Sequence, residues 1–386
     1  MLLSLTVYTG MASVMAWLGW HVSRREDRLL TRGGVELPFT SWEILAAILL
    51  YVAVSAARWL TSWDYNMYYN YYVSMQSLGE YSRDNFEPGF SLVTIAMARA
   101  GIHFSIYFAF WALVQITLLY YALRHRKALL PWLALCIFLG PYYIFWMGFI
   151  RQSVVECLFV LMVELIVRRK FWIYLILCLL AMSLHRMCVL FILLYFVPLI
   201  PAPKRGTRWI SFVLVALCVV LGSFPQWLRV LFDHIGKFAE VWGYGHYYRL
   251  FLSNNLEYAF RGVMGPSRLC PLITLATIIW YYPAIKRTFA ADRWLPALFR
   301  FSLLYMCYIN LLANTTQYLS RPGELMRACF LVMTCYALLY LWRQRRWWIF
   351  AILAFCNFYY VYYEIAKAAI YKGSIYMPEL YHTFLF

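Results

Sequence analysis

An all-α polytopic membrane protein with about twelve transmembrane helices is the fold class this sequence predicts, from three observations. The chain is 64% hydrophobic and only 13% charged, its mean hydropathy is +0.64, and its long apolar runs are separated by short basic clusters. Soluble domains carry about 25% charged residues. No alternating ten-residue pattern of a membrane barrel occurs, so helices must satisfy the backbone within lipid. A net charge of +17 would suggest nucleic acid in a soluble protein. Here the cations flank the spans, so membrane lipids are the expected partner and nucleic acid is not.

The first run, 2–21, lacks a basic n-region and is followed by Arg24, Arg25 and Arg28. It reads as a span with its N-terminus outside rather than as a cleavable signal. Further spans are expected at 42–60, 103–123, 129–148, 152–167, 171–185, 187–203, 208–224, 268–286, 294–313, 325–342 and 347–364. The runs 171–185 and 187–203 are short beside the roughly 17–25 residues a span needs. They are read as a hairpin turning at His185, because one long helix would move Lys204–Arg208 to the wrong side. Residues 88–101 are shorter still and are read as a half-helix lying against protein. Pro131, Gly140-Pro141 and Pro296 are expected to kink or end helices.

Arg24–Arg32, Arg124–Lys127, Arg168–Lys170, Lys204–Arg208, Lys286–Arg293 and Arg343–Arg346 mark the cytoplasmic loops,. The chain then forms a single transmembrane domain, 1–386, with both termini outside. Two large outer regions are expected, a tyrosine-rich loop with a half-helix at 61–102 and a large periplasmic loop at 225–267. The ten cysteines fall within apolar runs without metal-ligand spacing and read as small apolar packers,. No metal site or cofactor is expected.

The polar residues that are costly near lipid gather on the outer side. Arg58, Asp64, Tyr65, Tyr68, Tyr72 and Glu87-Pro88-Gly89-Phe90 form the densest group. Tyr65, Tyr68 and Tyr72 recur at helical spacing, so they share one face. That face either stacks on sugar rings or anchors the chain at the interface. Asp64 and Glu87 need partners, and Arg58 and Arg83 are candidates. Arg151-Gln152 opens a span, at a depth where a charge usually faces a bundle interior or wet cavity. The guanidinium fork of Arg151 suits diphosphate oxygens, and snorkelling is the alternative. His185 is either a general base or a hydrogen-bonded structural residue. Arg321 is a second candidate for phosphate, while Glu324 and Arg327 read as a surface pair. Trp242–Arg249, with His246, is either a lid over a glycan or a flexible loop. Glu156 is intramembrane, with Arg151 and His185 as its candidate neighbours and nothing in the sequence to decide between them.

In this order Arg58…Asp64-Tyr65-x2-Tyr68-x3-Tyr72…Glu87-Pro88-Gly89-Phe90, Arg151-Gln152 and His185 resemble the EpsG-like branch of the Wzy-type bacterial polysaccharide polymerases. The resemblance is strongest over 50–190. Trp63 replaces the usual small residue before Asp-Tyr, and Arg186-Met187 follows His185 where small residues are usual. The resemblance implies a metal-independent, GT-C-like multispan glycosyltransferase of the bacterial inner membrane, with its active site facing the periplasm. Its substrate would be an oligosaccharide on polyprenyl (undecaprenyl) diphosphate, and its product O-antigen, capsule or exopolysaccharide. A chain-length regulator is a further partner the resemblance allows. In that frame Arg151, Arg321 and Arg58 would hold diphosphate, and His185, with Glu87 and Asp64, would carry catalysis. Tyr65, Tyr68, Tyr72, Gln152 and His246 would contact glycan. An O-antigen ligase-like enzyme, an O-acyltransferase and a flippase or transporter are the competing readings.

Overall fold

The computed structural model describes residues 2–77, 86–199, 206–224, 265–314, 317–370 and 380–383. Arg83 and the Trp242–Arg249 segment with His246 lie outside the described residues.

The described chain is helical, without a named strand. Helices α1 (Leu2–Gly33), α2 (Trp42–Ala56), α3 (Tyr65–Ser77), α4 (Pro88–Arg99) and α5 (Phe104–Ala122) come first. Then follow α6 (Leu130–Leu139), α7 (Tyr142–Gly148), α8 (Ile150–Val167), α9 (Phe171–Leu184) and the short α10 (Leu190–Leu194). The remainder are α11 (Thr207–Gly222), α12 (Pro266–Thr288), α13 (Leu295–Leu311), α14 (Gln317–Glu324), α15 (Arg327–Arg343), α16 (Trp347–Phe358) and α17 (Tyr360–Ile370).

Most predicted spans coincide with helix, although 187–203 is met only by short helices up to Leu199, and helix length and composition support fewer than twelve crossings. Among the described residues, α1, α5 and α12 are long and apolar enough to cross a membrane, or up to five spans if each of two bent pairs counts as one. Two reasons apply: α13 has 17 residues, about 25 Å at 1.5 Å per residue, against a hydrocarbon core of about 30 Å, and α8 has 18 residues but carries Arg151, Glu156 and Glu164. Gly140-Pro141 breaks its span, as expected, into segments bent by 65°. The apolar outer faces still mark a membrane protein. Leu49, Ile176, Leu179, Val213 and Phe355 are exposed on α2, α9, α11 and α16, where water would penalise them and lipid does not.

The hairpin expected at His185 is present. Tyr174 donates its hydroxyl to the Phe191 carbonyl, and the Phe171 and Tyr195 rings lie 5.0 Å apart, so the chain doubles back. The half-helix is α4, packed against α3 and α9.

Ion pairs gather several basic loops at one end of the bundle. Arg126 donates to both Asp292 carboxylate oxygens at 2.7 and 2.8 Å, and Lys127 pairs with Glu26. Arg124 reaches Glu164 at 3.1 Å. Since α8 carries Glu164 near that end, its first turn with Arg151 lies at the other, as does the turn that follows α9. α15 forms the centre, buried at every position from Arg327 to Leu341.

Candidate functional site

The end opposite the basic loops is built on a helix break. α7 stops at Gly148, Phe149 leaves helical geometry with φ −104° and ψ 62°, and α8 restarts at Ile150. The loop before α3 lies across this break. Ser62 donates to the Ile144 carbonyl at 2.8 Å, and a Cβ on Gly148 would run into the Ser62 side chain and stand 3.5 Å from the Trp63 nitrogen. Leu60 and Ser62 hold φ of +49° and +78°, strain of roughly 1–3 kcal/mol per residue that the surrounding contacts must offset. Trp63 stacks at 14° on Phe149, with ring centroids 6.4 Å apart. A small residue there would leave this aromatic contact unmade.

Arg151 therefore emerges from the first turn of α8, where the helix dipole already favours anions. Its guanidinium pairs with Glu87 and donates from Nε to the Tyr68 hydroxyl at 3.4 Å. It also lies 4.7 Å from the Phe86 ring centroid. Glu87 precedes α4, and its second carboxylate oxygen accepts the backbone N–H of Arg186 at 3.0 Å. The Arg186 guanidinium stands 3.6 Å from the same oxygen. Gly89 permits this approach: a Cβ there would collide with the Ser183 side chain and lie 2.9 Å from the Ser183 carbonyl oxygen. One carboxylate thus joins α4, α8 and the turn after α9.

His185 occupies that turn, beyond the end of α9, in extended conformation with φ −154°. It is 9% exposed, and Nδ1 has no hydrogen-bond partner among the described residues. Burial pushes its pKa down to about 4, with Arg151, Arg321 and Arg186 acting in the same direction and Glu87 against them. The imidazole is therefore neutral at neutral pH. Burial alone would raise the Glu87 carboxyl, but Arg151 and the Arg186 N–H outweigh it and hold Glu87 below the usual carboxylate range. Arg321 lies 5.8 Å from the Phe149 ring and close enough to Tyr68 and His185 to act on both electrostatically. Asp64, half-buried at the head of α3, acts on Tyr68 from the other side.

Glu87, Arg151, His185, Tyr68, Arg321 and Asp64 are thus brought together, and Arg186 joins them. Other candidate site residues are placed elsewhere. Arg58 is 3% exposed, set 4.6 Å from the Phe108 ring inside the aromatic core. Tyr65 and Tyr72 are fully buried; their hydroxyls donate to the carbonyls of Arg58 at 3.4 Å and Ile102 at 2.6 Å. The tyrosine face packs into a core with Phe90, Tyr107 and Trp111, so those two rings are not open to glycan. Gln152 points inward and donates to Glu156 at 3.0 Å. Glu156, fully buried, also accepts from Trp146 at 2.9 Å and from Arg327 at 3.1 and 3.3 Å. Arg327 is therefore no surface residue. It is 5% exposed and is hydrogen-bonded to Glu156 and ion-paired with Glu324 at 3.3 Å.

The fold and this cluster define a class: a polytopic helical membrane protein with a cationic, aromatic-walled site at the end of its bundle remote from the basic loops. The chain belongs to the EpsG family, whose pattern it matches over residues 42–377, a family of Wzy-type exopolysaccharide polymerase-like proteins. No curated protein and no solved structure matches it. Family membership gives it a polymerase-like role in polysaccharide biosynthesis.

Proposed function

We propose that this protein polymerises oligosaccharide repeats carried on polyprenyl diphosphate, at the periplasmic face of the bacterial inner membrane. The observation that carries the reading is the meeting of Arg151, Arg186 and Arg321 around a neutral, buried His185. A diphosphate leaving group needs cations held in place before its charge develops. An acceptor hydroxyl needs a base that is unprotonated at working pH.

The acceptor hydroxyl of the incoming repeat attacks the anomeric carbon of the growing chain. The bond from that carbon to the diphosphate oxygen breaks, and the hydroxyl proton passes to the His185 imidazole. The polyprenyl diphosphate departs as an anion stabilised by Arg151 and Arg321. Glu87 is a positioning residue, because both its oxygens are engaged by Arg151 and the Arg186 backbone. By themselves the guanidinium groups oppose protonation of His185. A bound diphosphate offsets their charge, so the imidazole becomes a stronger base once the donor is seated. Asp64 remains to orient the sugar, while Tyr68, 2% exposed in the aromatic core, holds Arg151.

The test is deletion of the gene in its host, followed by complementation with wild type or Arg151→Ala, with lipid-linked glycan sized on gels. Single repeats on the carrier after deletion, and long chains restored only by wild type, support the proposal. Long lipid-linked chains persisting without the protein refute it and favour a ligase.

A further inference from the structure

A cavity of about 500 Å³ lies beyond the Phe145–Phe149 wall of the site just described. It is enclosed by α7, the first turns of α12 and α15, the last turns of α13, α14 and the α16–α17 bend. We infer that this cavity is a glycan subsite, seating sugar rings of a lipid-linked repeat beside the diphosphate site. The inference rests on the polymerase reading for the origin of that glycan.

Chemistry separates the two sites. Tyr142, Tyr305 and Tyr359 line the cavity together with Asn310 and Asn357, whose Nδ2 groups are given to Met306 and to Thr274 and Leu353. Aromatic planes with hydroxyls at their edges suit a sugar ring, which is apolar on its C–H face and polar at its rim. The volume falls within the roughly 300–1,000 Å³ of small-molecule sites. The cations here are balanced. Arg327 is bound by Glu156 and Glu324, which leaves Arg268 as the lining cation without a carboxylate partner among the described residues. Arg268 gives Nε to Asn310 at 3.3 Å, while its Nη2 is buried and has no hydrogen-bond partner among the described residues. A single guanidinium fits a sugar hydroxyl or carboxylate better than a diphosphate, which the more cationic Arg151 site favours.

The two sites are also contiguous. Ser320 and Glu324 of α14 line the cavity, whereas Arg321 of the same helix lies 5.8 Å from the Phe149 ring. Phe149 is stacked on Phe145, centroids 6.1 Å apart, and Phe145 lines the cavity. A glycan held on Tyr142 and Tyr305 would thus extend past Phe145 toward Arg321 and His185.

The full-length protein, purified in detergent, would be titrated calorimetrically with two probes. One is the repeat oligosaccharide released from the host's polymer; the other is farnesyl diphosphate, which carries no sugar. Arg268→Ala and the cavity-filling Ala313→Trp are expected to weaken oligosaccharide binding at least about tenfold, a loss of about 1.4 kcal/mol, and leave farnesyl diphosphate unaffected. Arg151→Ala should do the reverse. Unchanged oligosaccharide binding in both cavity variants overturns the inference, as does loss of farnesyl diphosphate binding in them or no oligosaccharide binding by wild type. If Ala313→Trp elutes as aggregate in size exclusion, Arg268→Gln takes its place. Polymer length in cells is a separate readout: normal chains from Arg151→Ala would sink the polymerase reading, while the titration still decides the cavity.

Discussion

Arg151 is held by two different acceptors, the Glu87 carboxylate and the Tyr68 hydroxyl, and only a guanidinium fork reaches both. Arg151→Lys keeps the charge and loses this geometry. Polymer formation in complemented cells is expected to fall by about 10²-fold, as for loss of one transition-state donor, with protein levels on immunoblot unchanged. His185 gives a pH prediction. Its folded pKa of about 4 lies below the unfolded value, so the unfolded chain takes up the proton first as pH falls. The neutral form contributes no pH-dependent loss above about pH 6.5; stability then declines until the folded value is reached. In detergent, His185→Gln should flatten the apparent Tm of the protein between pH 6.5 and 4.5 relative to wild type. An equal slope in both proteins would remove His185 as its cause. Residues like these were legible in the sequence because a charge beside an apolar run needs a reason. The tyrosines were not, since helical spacing is the same for a buried face as for a sugar platform, and only packing against Phe90 and Trp111 tells them apart.

At the scale of elements, α8 and α15 are joined by Glu156 and Arg327, partners 171 residues apart. No local spacing could announce this pair, so the sequence left the partner of Glu156 undecided and Arg327 at the surface. Removing one member strands the other, at a typical cost of about 3–5 kcal/mol, whereas an apolar pair of similar volume is often tolerated. Glu156→Ala is therefore expected to lower yield and apparent Tm sharply, and Glu156→Leu with Arg327→Met to recover most of both. The contact of α4 with α9 depends on Gly89. A methyl group there meets the Ser183 carbonyl oxygen at 2.9 Å, and the backbone cannot yield as a side chain could. Gly89→Ala should shift Glu87 away from Arg151 and shorten or abolish polymer, with no rescue from Ser183→Ala. Rescue by that second change would place the conflict in the Ser183 side chain instead.

For the whole molecule, the ion pairs Arg126–Asp292, Lys127–Glu26 and Arg124–Glu164 gather one end of the bundle, and Arg151 and His185 stand at the other. If basic loops remain cytoplasmic, the two ends face opposite compartments. In intact spheroplasts, a membrane-impermeant thiol reagent should label Ser320→Cys but label Arg345→Cys only after lysis. The opposite pattern would put the site on the cytoplasmic face. All ten native cysteines are buried, so background labelling should be low.

Composition and charge order, by themselves, determined that this chain is helical, lies in a membrane and separates its basic loops from its unusual polar residues. Those are properties of transfer free energy and local spacing, which every segment carries with it. Which cations share a site was decided by tertiary structure alone. Arg58 and Arg151 both adjoin apolar runs, yet one is enclosed by Phe108 and the other set beside Glu87. That difference arises because burial and pairing depend on neighbours from distant helices, and a helix break at Phe149 fixes where Arg151 points.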